Sequence, residues 1–500
     1  MRSRKDKIKI SALLSGIQKT KLFIRLSVVC ILWSIGSKAA PDSALNKKYN
    51  VLFIASDDLN NDMHCYGNRL VKTPNLDRLV ARGVRFDRAY NQYPLCAPSR
   101  ASMLTGFRPD VTKVADLETR FREALPNAVT LPQFFKNNGY NSGRMGKIFH
   151  YGVPKDIGTN GVDDSLSWTE RRNPIGRDKT EEKLIINLTP KRGLGSSLSY
   201  LPADGTDEEQ TDGMVATKAI DMMTKNKNNP FFLAVGFFRP HCPYVAPKKY
   251  FDMYSPEEIT LPMEKVNDWD DIPEVAKYTN PLHWGLDVGQ RKEALRAYYA
   301  SITFMDAQVC RLLGALEKLG LADNTIIVFW SDHGYSVGQH GQWMKENLFE
   351  SAARIPLIIA VPEVTKGKPS GRIVELLDVY PTLAELCKLK PPATLQGKSL
   401  IPLLRNPMAS WDRPAYTQID KRKFPGKRAP ELKNAFGRSV RTERWRYTEW
   451  DEGKEGVELY DYQTDPNEFT NLATNRKYIS IVKELSAMLR KSYTSYVVGK

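Results

Sequence analysis

The stretch Leu95-Cys96-Ala97-Pro98-Ser99-Arg100-Ala101-Ser102-Met103-Leu104-Thr105-Gly106 gathers residue types that together suit the binding of an anion. Pro98 fits the first turn of a helix, where its missing N–H is no loss. Gly106, followed by Pro109, fits the end of that helix. Cys96 then lies at a helix N-terminus, where free backbone N–H groups and the positive end of the dipole favour negative charge. Arg100, one turn on along the same face, adds a fixed cation. Two further clusters, Ser56-Asp57-Asp58 and Ser331-Asp332-His333-Gly334, each close a short apolar run. A lone Asp in such a place usually caps the next loop or helix. Two pairs built alike beside Cys96 suggest convergence, and three converging carboxylates repel one another unless a cation sits between them. Oxygen donors with one imidazole suit a hard divalent ion.

These residues need strand ends to hold them. Tyr49–Ala55 and Asn324–Trp330 are continuous apolar runs and read as buried parallel strands, with Asp57, Asp58, Asp332 and His333 at their carboxyl ends. That edge is where ligands bind in open α/β sheets. Pro230–Phe238 repeats the grammar and ends in Arg239-Pro240-His241-Cys242-Pro243, while a shorter strand, Tyr140–Met145, leads to Lys147 and His150. Helices are expected from Thr73 (as N-cap) to about Gly83, over 131–138, 211–224 and 380–389, and over 291–319 on apolar positions every three or four residues. A further strand is expected at 356–361. Residues 151–210, rich in Gly, Asn, Asp and Lys, read as a long loop insertion shaping the mouth of the site. After about Lys398 shorter runs at 437–450 and 457–462 suggest a small antiparallel sheet. The organisation expected is an α/β catalytic domain over 47–397 and an α+β subdomain over 398–500.

Cys-x-Pro-Ser-Arg-x4-Thr-Gly resembles the signature of the type I sulfatases, in which the Cys is converted to formylglycine. A second stretch, Gly139-Tyr140-Asn141-Ser142-Gly143-Arg144-Met145-Gly146-Lys147-Ile148-Phe149-His150, resembles that family's other signature, and the likeness runs from about Tyr49 to about Leu472. It implies an alkaline-phosphatase-like fold, a large mixed and mostly parallel sheet sandwiched by helices. It also implies one Ca2+ held by Asp57, Asp58, Asp332, His333 and the modified Cys96, with a formylglycine-generating enzyme as transient partner. One hydroxyl of the hydrated aldehyde would attack sulfur, His241 or Lys345 would protonate the leaving oxygen, and His150 would take the proton from the second hydroxyl to expel sulfate. Lys147 and Lys345 carry over as sulfate-oxygen contacts and Arg100 as support for the diol and metal. Cations on the oxygens and an acid at the bridge are what a sulfate monoester requires. The Lys147-x-x-His150 spacing, Arg-Pro-His-Cys-Pro and Ser-Asp-His-Gly-Tyr are similar to the iduronate-2-sulfatase branch, which implies a uronate 2-sulfate or another sulfated glycan as substrate. The alternatives are an arylsulfatase, a phosphonate or phosphate monoester hydrolase on the same scaffold, and a non-catalytic glycan-binding relative.

Composition agrees with an enzyme meeting polyanions. Net charge is +16, of which +8 falls in the first forty residues (nine Lys/Arg against one Asp) and +8 in the rest. No helix-turn-helix, zinc-finger or RNA-binding signature accompanies that charge, so nucleic acid is not expected as a partner. Residues 1–40 read as an export signal, with a basic n-region, the apolar run Leu26–Ile35 and Ser37-Lys38-Ala39 before the cleavage point. The product is expected to be periplasmic or secreted, with no membrane span after signal removal. Six irregularly spaced Cys indicate neither a disulfide scaffold nor a zinc cluster.

Overall fold

The computed structural model describes residues 48–423 and 433–497, so the expected signal segment lies outside the described residues. Its centre is an eight-stranded sheet in the order Lys368–Glu375, Val84–Tyr90, Arg354–Ala360, Thr325–Ser331, Asn50–Asp57, Phe231–Pro240, Asn141–Gly146 and Glu170–Arg172. Arg354–Ala360 runs against both of its neighbours, and every other pairing in the sheet is parallel. The sheet is therefore mixed and mostly parallel, in line with the expected architecture. Asn50–Asp57 is buried along its whole length, and its side chains alternate between two cores. Leu52 and Ile54 pack on one face with the Thr211–Lys225 and Val288–Lys318 helices. Val51, Phe53 and Ala55 pack on the other with the Cys96–Thr105, Leu131–Asn137 and Val379–Leu386 helices. A strand that serves two cores has no polar face to show, hence its unbroken apolar run.

Beyond the large sheet, Ala415–Asp420, Phe436–Arg441, Trp445–Trp450 and Gly456–Asp461 form a four-stranded antiparallel sheet. One face of it packs Trp450 and Tyr460 with Tyr93, Leu95 and Phe349, close to the Cys96 helix. The other face is covered by Leu485 and Leu489 of the final helix.

Three readings of the sequence are corrected. Residues 151–210 are not one loop. Glu170–Arg172 forms the edge of the large sheet, and Ile186–Asn187 and Ser199–Ala203 build a small sheet with Tyr244–Pro247, just after His241. Thr73 occupies the N-cap position but its side chain does not cap the helix: its Oγ1 accepts from His64 N–H at 3.0 Å. The first turn is capped instead from a distance, Asp306 accepting from the N–H groups of Asn75 (3.1 Å) and Leu76 (2.8 Å). That helix, Pro74–Val80, also ends before Gly83.

Candidate active site

The Asn50–Asp57, Phe231–Pro240 and Thr325–Ser331 strands lie side by side and parallel, so their carboxyl ends deliver Asp57, Asp58, His241, Asp332 and His333 to one edge. The Cys96–Thr105 helix, buried throughout and closed by Gly106 at φ 75°, points its first residue at the same place. Ser99 anchors it there by donating Oγ–H to the Asp332 carbonyl at 2.5 Å. Lys147 arrives by a close backbone approach that only glycine permits. A Cβ on Gly236 would stand 1.8 Å from the Lys147 carbonyl oxygen, and one on Gly146 2.2 Å from that of Gly236. Lys345 sits between Met344 (φ 70°) and Glu346 (φ 68°), and Asp58 itself has φ 62°. Left-handed non-glycine residues persist where surrounding contacts hold them. For Asp58 these include Tyr298, whose hydroxyl donates to the Asp58 carbonyl at 2.8 Å and accepts from Asn60 N–H at 2.9 Å.

Around Cys96 the side chains interlock. Its Sγ lies 3.3 Å from His333 Nε2, 3.3 Å from Lys345 Nζ and 3.8 Å from Asp58 Oδ1. Arg100 donates Nε–H to Asp332 Oδ2 (2.8 Å) and an Nη2 hydrogen to Asp57 Oδ1 (2.9 Å), and its other arm reaches the carbonyls of Lys147 (3.1 Å) and Ile148 (2.9 Å). Lys147 Nζ meets Asp57 Oδ2 at 2.5 Å, and Lys345 Nζ meets Asp58 Oδ1 at 2.5 Å. His333 and His241 both turn Nδ1 to a backbone carbonyl, Gly334 at 2.7 Å and Cys242 at 2.5 Å. Their Nε2 atoms are thereby left facing Asp58, at 3.3 Å from Oδ1 and 3.6 Å from Oδ2.

The two adjacent aspartates are driven apart. Burial works against charge on Asp57, but Lys147, with Arg100 and Lys345, holds its carboxyl well below the usual range. Burial pushes Asp58 up, and Asp57 and Asp332 add to that push against Lys345 and His333. Burial likewise lowers the imidazoles of His150 and His241, and raises the Cys96 thiol despite Lys345 and Lys147. An unmodified thiol here is protonated and a weak nucleophile. Lys345, by contrast, is held charged: burial is outweighed by Asp58 and its neighbours.

The donor set fits a hard divalent ion. One ligand atom from each of Asp57, Asp58, Cys96 and His241 falls within 4.8 Å of the others, as does one from each of Cys96, Asp332 and His333. Asp58 Oδ2 is buried without a hydrogen-bond partner, an acceptor suited to a cation.

Nine of the ten residues singled out from sequence thus converge: Asp57, Asp58, Cys96, Arg100, Lys147, His241, Asp332, His333 and Lys345. His150 lies alongside, close enough that Lys147 and Asp57 act on its charge, but it makes no hydrogen bond to the cluster and its Nδ1 is buried without a partner. Sequence reasoning missed the residues that hold His241. Arg239 donates to the carbonyls of His241 (3.2 Å) and Pro243 (3.0 Å) and is itself held by Asp178 at 2.6 Å. Asp212 accepts from the N–H groups of Phe238 and Arg239 at 2.8 and 3.0 Å. Neither acid stands in a recognisable pattern; their partners lie 26 or more positions away. His340 is tied to Asp268 at 2.7 Å and stacked on Phe349, and the exposed His64 meets Asp77 at 2.7 Å. A cavity of about 560 Å³ at the C-terminal sheet, among Asp110, Arg438, Glu449 and Tyr493, shares no residue with this cluster. One of about 280 Å³ touches it through Ala97 and His150.

Comparison with known proteins agrees with this geometry. Residues 49–389 match the sulfatase family model, and residues 338–495 match that of the N-sulphoglucosamine sulphohydrolase C-terminal region. A sulfatase of Formosa agariphila is 34% identical over 497 residues, covering 96% of this chain and 93% of its own. Human iduronate 2-sulfatase is 34% identical over 498 residues, covering 85% of this chain and 88% of its own. The fold is shared with the phosphonate monoester hydrolase of Agrobacterium radiobacter at a TM-score of 0.76 and 24% identity, over 90% of this chain and 96% of that one.

Proposed function

Because the chain belongs to the sulfatase family of sulfuric ester hydrolases, we propose that it is an exported enzyme removing sulfate from a sulfated glycan, with a uronate 2-sulfate as the unit it cleaves. The observation that carries the reading is the gathering of Asp57, Asp58, Asp332, His333, Lys147 and Lys345 around the Cys96 side chain. The substrate preference is supported by the Lys147-x-x-His150 spacing and by the likeness to human iduronate 2-sulfatase. Export is supported by the composition of residues 1–40, and no helix among the described residues is long and apolar enough to cross a membrane.

Asp57, Asp58, Asp332 and His333 would hold a Ca2+ ion, which supplies Lewis-acid polarisation of oxygen. Residue 96, as formylglycine, would supply the nucleophilic oxygen that a buried, protonated thiol does not. The rest is done by fixed side chains. Arg100 keeps Asp57 and Asp332 in register through its two donor arms, so the acids do not splay apart under mutual repulsion. Lys147 and Lys345 present ammonium groups to the sulfuryl oxygens from buried positions, where their charge acts strongly. His241, its Nδ1 committed to the Cys242 carbonyl, presents Nε2 to the site. An arriving sulfate anion raises its proton affinity and makes it the donor to the leaving oxygen. His150 keeps Nδ1 uncommitted and serves as the acceptor that resets the site.

The test is a panel of 2-sulfated uronate disaccharides, aryl sulfates and phosphonate monoesters, together with mass spectrometry of the Cys96 peptide from protein made in a host with the modifying enzyme. Turnover of the uronate substrates and an aldehyde at position 96 are expected. Activity confined to aryl sulfates overturns the substrate reading, and an unmodified thiol in active enzyme overturns the mechanism.

A further inference from the structure

The cavity of about 280 Å³ is bounded by Ala97 and Ala101 on the Cys96 helix, by His150, by the rings of Phe121 and Phe149, and by Arg120. It is the size of a compartment for one sugar ring, just under the roughly 300–1,000 Å³ of pockets for drug-sized ligands. Its walls are of two kinds. Phe121 and Phe149 are stacked at 5.8 Å with an interplanar angle of 11° and give an apolar side. Charged groups occupy the rim, and nearly all of them are already neutralised. Arg122 holds Asp164 through two hydrogen bonds of 2.6 and 2.8 Å. Asp163 is engaged by Arg144 at 3.2 Å, Arg171 at 3.4 Å and the Trp168 indole N–H at 3.0 Å. His150 is kept neutral by burial. Arg120 stands apart: it is exposed, and among the described residues no hydrogen bond or ion pair engages its guanidinium.

Nor is Arg120 carried on slack chain. The turn before it is closed by Asp116, whose carboxylate accepts from the N–H groups of Glu118 (2.9 Å) and Thr119 (2.7 Å) and from the Thr119 hydroxyl (2.8 Å). The next residue, Phe121, is buried against Phe149. The guanidinium is therefore displayed on a fixed stem over a cavity that opens beside the reacting centre.

We propose that this cavity receives the sugar ring bearing the scissile sulfate, and that Arg120 reads the ring's carboxylate by a charge-assisted, forked pair. The assignment rests on the uronate reading given above and names the group that would discriminate a uronate from a neutral sugar. The aromatic pair supports the apolar face of the ring, and the paired Asp163 and Asp164 leave no net negative charge to repel it.

The experiment compares wild type, Arg120→Ala and Arg120→Lys on three substrates: a 2-sulfated uronate disaccharide, the same disaccharide with its carboxyl group reduced to the alcohol, and an aryl sulfate. For Arg120→Ala the expected result is a KM raised tenfold or more on the uronate substrate. Its kcat there stays within threefold, both constants are unchanged on the other two substrates, and Arg120→Lys recovers part of the loss. Equal loss on the carboxylate and carboxyl-reduced sugars, or no loss on either, overturns Arg120 as the carboxylate reader while leaving the uronate reading intact. A wild type that hydrolyses aryl sulfates but neither sugar overturns both. Because Arg120 is exposed, unchanged thermal midpoints for both variants are expected alongside.

Discussion

Glu350 opens the short helix five residues after Lys345, at the seam between the two sheets. Its carboxylate accepts from the Tyr90 hydroxyl of the large sheet at 2.9 Å, and from the Tyr462 hydroxyl at 3.0 Å and Arg446 at the smaller sheet. Arg441 approaches to 3.6 Å. Burial alone would raise this acid, but Arg441, Arg446 and Arg354 outweigh it and hold the carboxyl at about 2. Against an ordinary Glu near 4.3, that depression corresponds to about 3 kcal/mol of folded-state stability. The sign follows from a folded value lying below the unfolded one. The stabilisation is complete above the unfolded pKa, and it is lost as pH falls from about 4.5 toward about 2, where the folded carboxylate also takes a proton. Replacing Glu350 by Gln removes it at neutral pH. With an unfolding entropy of about 2.1 cal/mol/K per residue, a chain of 500 residues converts about 3 kcal/mol into a drop of about 3 °C in thermal midpoint. Scanning fluorimetry of wild type and Glu350→Gln at pH 7, 5, 4 and 3, at one scan rate, reads the effect. The gap should be about 3 °C at pH 7, nearly the same at pH 5, and about 1 °C at pH 3. A gap that does not change between pH 7 and pH 3, or no gap at pH 7, refutes the reasoning.

Arg100→Lys cannot span Asp57 and Asp332 while also reaching two carbonyls. It should cost about 3–5 kcal/mol, a midpoint lower by about 4 °C, and at least 100-fold in kcat; steady-state rates near wild type would contradict the bridging role. Exhaustive chelation should abolish activity and calcium should restore it, with a midpoint gain of about 3 °C at a hundredfold excess over Kd; full activity in protein shown metal-free by elemental analysis would exclude the ion site. Asp178→Asn loosens Arg239 and with it the His241 carbonyl, so kcat on an aryl sulfate should fall about tenfold with KM little changed; an unaltered kcat would mean that His241 is positioned without it.

What the sequence disclosed and what it hid divide along a physical line. Asn50–Asp57 and Thr325–Ser331 were legible because burial on both faces leaves an unbroken apolar run, and a polar cluster at its end is then conspicuous. Val84–Tyr90 belongs to the same sheet, yet its sequence carries no such unbroken apolar run. Its Arg85, Asp87 and Arg88 interrupt the pattern, and they are tolerated because Arg85 pairs with Asp87 at 2.7 Å and Arg88 turns to the Gly371 carbonyl and Glu443. Lys368–Glu375, with Pro369 and Gly371, was hidden for a similar reason: it pairs along Val84–Tyr90 at the sheet's edge, where proline and glycine cost less. The site was legible to the same degree. Cys96, Lys147 and the paired acids stand in local motifs, whereas Asp306, Asp178 and Asp212 act on partners far along the chain, and each looks like an ordinary polar residue on its own element.

The interlocked acids and bases at the sheet edge also bear on what the fold itself needs. Asp57 and Asp332 are tied to one another through Arg100, and Asp57 again through Lys147. Those contacts are buried, and they are anchored by backbone approaches at Gly146 and Gly236 that leave no room for adjustment. Asp58 is different: Lys345 takes one of its oxygens, Oδ2 accepts no hydrogen bond although His241 Nε2 stands 3.6 Å away, and its own charge is disfavoured by burial and by the neighbouring acids. Charge balance among the other groups is therefore part of the folded core, while the cost concentrated on Asp58 is what an added cation relieves. It follows that Asp58→Asn should weaken calcium binding and lower the calcium-free midpoint by less than Asp57→Asn does, since burial and the neighbouring acids offset part of what its pair with Lys345 contributes. Asp57→Asn should lower that midpoint, because Lys147 and Arg100 would then face a neutral amide. Calorimetric unfolding of both variants in chelator separates the two acids; equal destabilisation would mean that the site is balanced as a unit rather than residue by residue.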